Sequence, residues 1–369
     1  ILFGMPIVQV VYELAQGERP QVLDVAMQAP TEKNLRDFES NLEESSWVAQ
    51  AVRPRLRQWH FAALRDPGNQ VLMGRNGWLF YKPGVDYLVQ SSDEASQDNG
   101  PVAAIAAIVQ FRDQLQRQGI KLLVVPVPGK ASVYPDRLTG RNASSHSSLR
   151  SPTLDVIDRL REQGVETVDL FAVFQRTRET EEREVDGAMY LALDTHWSPR
   201  GVRIAAEAIA ERIHRLEWLA PGEFSYKRNA VETRRDGDIV RMMQLPKQHR
   251  FYKPEKVRCQ QVVRQQDSLV YQDQPSSPVL LLGDSFSRIY QSDEPSSAGL
   301  IAQLAYELGM PLTSIINDGG ASTLVRQNLG RRPELLRGKK LVIWQFVERD
   351  IRFGTEGWKS VPIGEVDDL

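Results

Sequence analysis

The sequence predicts a doubly wound α/β fold, and three features of the chain carry that prediction. Short, nearly all-apolar runs alternate with amphipathic helical stretches. Glycines stand where the helices should stop. Small polar residues stand where the apolar runs end, which is where an open parallel sheet places its ligand.

The alternation starts at Pro101. AAIAAIVQFRDQLQRQG reads as a helix stopping at Gly119, and KLLVVPVPGK follows as a strand buried on both faces. The helix SPTLDVIDRLREQG and the strand ETVDLF at 166–171 form a second pair. Then come SPVLLLGDS at 277–285, a helix ending near Gly309, and the strand SIINDGG at 314–320. A further helix near 321–329 and the strand KKLVIWQF at 339–346 complete five strands.

Outside this core the pattern changes. ILFGMPIVQVVYEL, a mostly apolar stretch of 14 residues with no leading Met, reads as the remnant of a signal anchor, or else as a buried helix. Residues 31–65 are charged and largely helical, with Pro54 predicted to kink or break them and Asp66-Pro67-Gly68 to close them. Residues 71–90 read as a hairpin turning at Asn76-Gly77. Residues 221–276 are rich in Arg and Gln, and read as an insertion forming a hairpin lid around VRCQQVVRQQDSLVYQD or a sheet-edge addition. The expected organisation is an anchor remnant at 1–20, an N-terminal helical and hairpin extension at 21–100, a catalytic domain at 101–355 and a tail at 356–369.

Composition excludes several functions. With 46 basic and 48 acidic residues the net charge is −2, and no like-charge block suggests nucleic acid. Cys259 is alone, so neither an intrachain disulfide nor a thiolate metal cluster is possible. His60, His146, His196, His214 and His249 are scattered, without HExxH spacing, and no Walker or dinucleotide fingerprint occurs; neither metal nor nucleotide cofactor is expected.

The chemistry concentrates at strand ends. Ser285 in LLGDSFS stands where a buried strand turns into a helix, but a serine needs a base and oxyanion donors before it is a nucleophile. The base candidate is His196 in LALDTHWSPRG, two residues from Asp194, which could fix the imidazole tautomer. Ser198 and Pro199 read as N-cap and first turn of the helix that follows, and His214 on that helix as a surface residue. Gly-Asp-Ser alone is more often a plain turn, and Asp-x-His more often a structural loop. Their conjunction with the Asn317-Asp318-Gly319-Gly320 strand end favours acyl chemistry.

At these residues the chain resembles a known group. Gly283-Asp284-Ser285 resembles the first block of the SGNH/GDSL esterases, and DTHWSPRG their last, but in reversed order. LLVVPVP resembles the strand after the third block, ETVDL the strand before the Asp-His block, and INDGG stands in for the second block. This circular permutation is similar to that of the SGNH-like alginate O-acetyltransferases, the AlgJ and AlgX family, and the likeness is closer to AlgJ-like members. Further motifs with this likeness are GRNGWLFY at 74–81, PVPGKASVYPDRL at 126–138 and VIWQFVERDI at 342–351.

The resemblance implies a three-layer α/β/α sandwich with a mostly parallel sheet, an O-acetyltransferase activity and an acetyl-serine intermediate. It implies Ser285 as nucleophile, His196 as base and Asp194 as its orienter, with Asp284 supporting the turn. The Gly-x-Asn-Asp block is not visible after WQFVERD, so the expected oxyanion donors are the Ser285 amide with Gly319 or Gly320, and Asn317. Lys130, Trp197, Arg288 and Arg349 are candidates for lining the site, each with a structural alternative. The implied partners are a polysaccharide acceptor, an acetyl donor supplied through a membrane-bound O-acyltransferase, and other subunits of a polysaccharide-acetylation system, in the periplasm at the inner membrane. An esterase, or a non-catalytic subunit of a secretion complex, remains the alternative.

Overall fold

In the computed structural model, residues 4–17, 19–20, 31, 34, 47–89, 100–140, 150–180 and 187–364 are described. The chain divides into two compact units, residues 1–69 with 240–253, and residues 70–239 with 254–369. In the smaller unit the described helices are Gly4–Ala15 and Trp47–Leu64, and Phe61 packs edge-on against Phe251 at 4.9 Å. The second helix continues through Pro54 without the break that the sequence allowed there, in a stretch of good helix formers. Much of the expected 31–65 helix, residues 35–46, lies outside the described residues. Among the described residues no helix is long and apolar enough to cross a membrane.

The larger unit opens with a short hairpin of β1 (Val71–Met73) and β2 (Leu79–Tyr81), turned at Asn76 and Gly77, which both hold positive φ. The hairpin ends earlier than 90, because Pro83 at the second position of the helix Lys82–Val89 has no N–H to offer a strand ladder. Next come β3 (Lys121–Val127) and β4 (Glu166–Thr167). ETVDLF is a strand for only two residues, since Leu170 already begins a helix.

Residues 221–276 contain a long antiparallel pair, β5 (Tyr226–Arg235) and β6 (Glu255–Arg264), in a two-stranded sheet of its own. The expected hairpin within 257–273 is present only as a short fold-back. VRCQQVVR pairs along its length with β5, and only one bridge, Val263 with Val270, folds it back on itself. The last strands are β7 (Val279–Gly283), β8 (Thr313–Ile316) and β9 (Leu341–Val347).

The central sheet has the order β4-β3-β9-β7-β8 with every pair parallel. Counted from β7 as the first strand, that order reads 2-1-3-4-5, a doubly wound arrangement whose crevice lies between strands 1 and 3. The chain has been cut and rejoined so that its fourth and fifth strands come first, as the reversed motif order predicts. Side chains alternate across the sheet with period two. Leu123, Val125, Leu281 and Ile343 face one helical layer, which holds Ala206, Ile209 and Leu304. Leu122, Val124, Leu282 and Trp344 face the other, which holds Ile108, Leu160 and Val325. This is the three-layer α/β/α sandwich expected from the sequence.

Candidate active site

Ser285 sits at the crevice because of the turn that ends β7. Gly283 is required there: a Cβ on it would meet Ser287 Oγ at 2.5 Å and Gln345 Oε1 at 2.9 Å. Asp284 is buried and spends its carboxylate on the turn. Oδ1 accepts the Phe286 amide at 2.8 Å and Gln345 Nε2 at 2.9 Å, and Oδ2 accepts the Val347 amide at 3.0 Å. Asp284 thus caps the short helix Ser285–Arg288 and ties it to β9, the structural part the resemblance implies for it. Ser285 is half-buried while Asp284 and Phe286 on either side are buried, so the turn presents the hydroxyl.

The imidazole arrives from outside the sheet. His196 Nε2 lies 2.9 Å from Ser285 Oγ, and its Nδ1 lies 2.6 Å from Asp194 Oδ1. Asp194 and His196 do not meet in an extended segment. The same Oδ1 accepts the His196 amide at 3.1 Å, so the backbone folds around the carboxylate in a side-chain-closed turn. Ser198 then caps the helix Pro199–Leu216, its hydroxyl accepting the Gly201 amide at 3.3 Å and donating to the Ala188 carbonyl at 2.7 Å. His214 lies exposed on that helix.

Charge polarises the arrangement. Burial works against the Asp194 carboxylate, but the hydrogen bond and charge of His196 overcome it and hold its pKa well below the usual carboxylate range. Burial likewise disfavours the imidazolium, yet Asp194 and then Asp238 outweigh it and raise the His196 pKa above 6.5, with Arg349 opposing.

Asp238 escaped the sequence reading. It lies in the opaque 221–276 segment and reaches the site through Thr195. Its Oδ1 accepts the Thr195 amide at 2.6 Å, its Oδ2 accepts the Thr195 hydroxyl at 2.5 Å, and Oδ2 stands 3.4 Å from His196 Nδ1. The only local signal was Gly237 between two aspartates. It holds φ at +79°, and a Cβ there would lie 2.2 Å from the Leu193 carbonyl oxygen, so only glycine lets the two loops approach this closely.

The other candidates separate into supports and one cation facing the site. Lys130 has the structural role the sequence left open for it: its Nζ donates to the carbonyls of Leu79, Ala192 and Asp194 at 2.6, 2.7 and 3.0 Å. Burial pushes its pKa down to about 7, against the pull of Glu255, Asp194 and Asp238. Trp197 likewise has a structural role: it is fully buried, with Nε1 donating to the Phe286 carbonyl at 3.0 Å, and it braces the serine turn. Arg288 is engaged by Asp318 at 2.8 Å and by Asp293. Arg349, at the end of β9, has its guanidinium over the rings of Tyr81 and Phe286 at 5.3 and 5.8 Å, and no carboxylate pairs with it among the described residues.

The glycine turn is tied to β7, the Asn317 amide donating to the Gly283 carbonyl at 3.0 Å. The Gly320 amide donates to the Asn317 carbonyl at 3.1 Å, so it is already committed within its turn. Among the described residues no hydrogen bond engages the amides of Ser285 and Gly319 or the side-chain amide of Asn317, and of the expected oxyanion donors these three stay available.

A hydroxyl, an imidazole and a buried carboxylate in this line, at the crevice of a permuted α/β/α sheet, define a protein of the SGNH hydrolase-like class. Residues 71–348 match the family model described as SGNH hydrolase-like domain, acetyltransferase AlgX, and the chain belongs to that family. It is 29% identical over 178 residues to a probable alginate O-acetylase AlgJ of Pseudomonas aeruginosa, a match covering 47% of this chain and 41% of that one. It is 26% identical over 292 residues to a probable alginate O-acetylase AlgJ of Azotobacter vinelandii, covering 76% and 69%. In fold it is similar to the O-acetyltransferase domain of Pseudomonas putida AlgJ, with TM-score 0.59 and 24% identity over 81% of this chain and 95% of that one. It also resembles Pseudomonas aeruginosa AlgX, with TM-score 0.55 and 21% identity over 75% and 62%.

Proposed function

We propose that this protein is an O-acetyltransferase that places acetyl groups on hydroxyls of alginate or a similar exopolysaccharide, through an acetyl-Ser285 intermediate. The observation that carries the reading is the unbroken line from Asp194 Oδ1 to His196 Nδ1 at 2.6 Å and from His196 Nε2 to Ser285 Oγ at 2.9 Å. Family membership supports acetyl transfer over other acyl chemistry.

In the first half-reaction Ser285 Oγ attacks the acetyl carbonyl carbon of the donor as its proton passes to His196 Nε2. The oxyanion forms against the Ser285 and Gly319 amides, and the leaving group departs with the proton from Nε2. In the second half-reaction a sugar hydroxyl gives its proton to Nε2 and attacks the acetyl-serine, and the proton then returns to Ser285 Oγ. Asp194 keeps Nδ1 protonated throughout, so that Nε2 is the basic nitrogen. In this reading Arg349, whose guanidinium lies over Phe286 beside the site, supplies a cation for the donor or the acceptor. The setting that accompanies this reading is the periplasm at the inner membrane, with acetyl groups handed over through a membrane-bound O-acyltransferase and other acetylation subunits as partners.

The test is product analysis with an acetyl ester as donor, with and without alginate oligosaccharide. Acetylated oligosaccharide formed by the wild type and lost in Ser285→Ala is the expected result. Free acetate alone, with oligosaccharide present, would replace transfer by ester hydrolysis. Polymer acetylation in cells that survives Ser285→Ala would make the protein a non-catalytic subunit.

A further inference from the structure

The imidazole faces two carboxylates, and the acyl-transfer steps above use only one. Asp238 shares no secondary-structure element with His196, yet four contacts lock it to the loop that carries the base. Its carboxylate takes both the amide and the hydroxyl of Thr195, its Oδ2 stands 3.4 Å from Nδ1, and its own amide donates to Asp194 Oδ2 at 3.2 Å. The Thr195 hydroxyl oxygen is itself 3.2 Å from Nδ1. A second carboxylate so close to the first raises the free energy of both, and a site with only a structural need for Thr195 would be served by a neutral acceptor.

We propose that Asp238 is a positioning residue of the acyl-transfer reaction, a second carboxylate that acts through Thr195 to fix the Nδ1 side of His196 and to stabilise the imidazolium. This rests on the reading of Ser285 as acyl carrier. When Ser285 Oγ loses its proton to Nε2, the Nδ1 proton stays on the bond to Asp194, and Asp238 neither gains nor loses a proton. Its negative charge lowers the energy of the cation that both half-reactions pass through. The other charges facing the imidazole and its loop are Asp194, Arg349, Arg235 at 3.8 Å from Asp194 Oδ2, and behind the loop Lys130 with Glu255. With Asp238 neutralised, Asp194 is the one carboxylate left against the imidazole, and Arg349 opposes it.

The probe is p-nitrophenyl acetate, with kcat/KM followed against pH. His196 works as a base only when neutral, so activity rises with pH through its titration. In Asp238→Asn the imidazolium loses support, and the acidic limb moves to lower pH by about half a unit or more while the plateau falls about tenfold. A merely structural Asp238 would lower the plateau and leave the limb in place. A limb in Asp238→Asn that overlays the wild type would therefore overturn the proposal. If Asp238→Asn does not fold, Thr195→Val and Thr195→Ser take its place. Loss of the hydroxyl should cut the plateau several-fold, and Thr195→Ser should restore it; equal activity of the two would also overturn the proposal. Ser285→Ala in the same assay keeps the two questions apart: activity that survives it removes the acyl-carrier reading itself, whatever Asp238 does.

Discussion

The serine side and the histidine side of the crevice are held by different means. Ser285 hangs from the end of β7, in a turn that one aspartate both caps and ties to Gln345 and Val347 of the neighbouring strand β9. His196 lies in residues 187–198, which form no strand and only one isolated bridge, Tyr190 with Trp197. Side chains from distant segments hold that stretch instead. Tyr134 accepts the Met189 amide at 2.7 Å, Glu255 accepts the amides of Ala192 and Leu193 at 2.8 Å each, Lys130 donates to the Ala192 and Asp194 carbonyls, and Asp238 accepts the Thr195 amide. The nucleophile thus rests on a short turn anchored mainly to one neighbouring strand, whereas the base opposite it depends on contacts from several separate segments, each of which is a separate point of failure.

The largest effect belongs to the reacting groups. Ser285→Ala and His196→Ala should each lower kcat about 10⁴-fold or more; the thermal melt should stay close to wild type for Ser285→Ala, while His196→Ala also loses stability because it leaves the buried Asp194 carboxylate without its partner. Next come the supports, where the two sides should part. Lys130→Met leaves three carbonyls without their donor and should cost about 2–4 kcal/mol in denaturant melts, together with a fall in kcat. Arg288→Gln, on the serine side, removes partly exposed ion pairs and should cost about 1 kcal/mol or less. Equal effects from these two substitutions would break the comparison.

A smaller and more diagnostic effect is the pH profile of the wild type. Because Asp194 and Asp238 raise the His196 pKa, the acidic limb of kcat/KM should have its midpoint above the 6.5 of an ordinary histidine, activity being lost as pH falls through it. A midpoint below 6.5 would mean that burial dominates. The smallest effect is Ser198→Ala, which removes the helix cap behind the histidine loop and should cost about 1 kcal/mol by thermal melt with Ser285 chemistry intact.

The same division explains what the sequence could disclose. Strands β3, β7 and β9 are legible because burial on both faces makes each a continuous apolar run, and the permuted order is legible because the motifs are short and local. β4 was overextended because the apolar helix start Leu170-Phe171 cannot be told from strand by composition. Ser285, Asp194 and His196 could be singled out since each lies at the end of a recognisable element. Asp238 could not, because Asp-Gly-Asp looks like any turn until Leu193 is known to press against Gly237. Lys130 was visible as a residue, but its role was not; nothing in PVPGKAS announces that the ammonium is turned inward onto three carbonyls.

The central claim is that Ser285 carries the acetyl group, and trapping that adduct tests it most directly. Wild-type protein mixed briefly with an acetyl ester and quenched in acid should show, by intact mass and peptide mapping, one added acetyl group on the peptide containing Ser285. The adduct should disappear when alginate oligosaccharide is added, and should not form in His196→Ala. Turnover by a wild type that never carries acetyl on Ser285, or acetylated sugar from Ser285→Ala, would contradict the account.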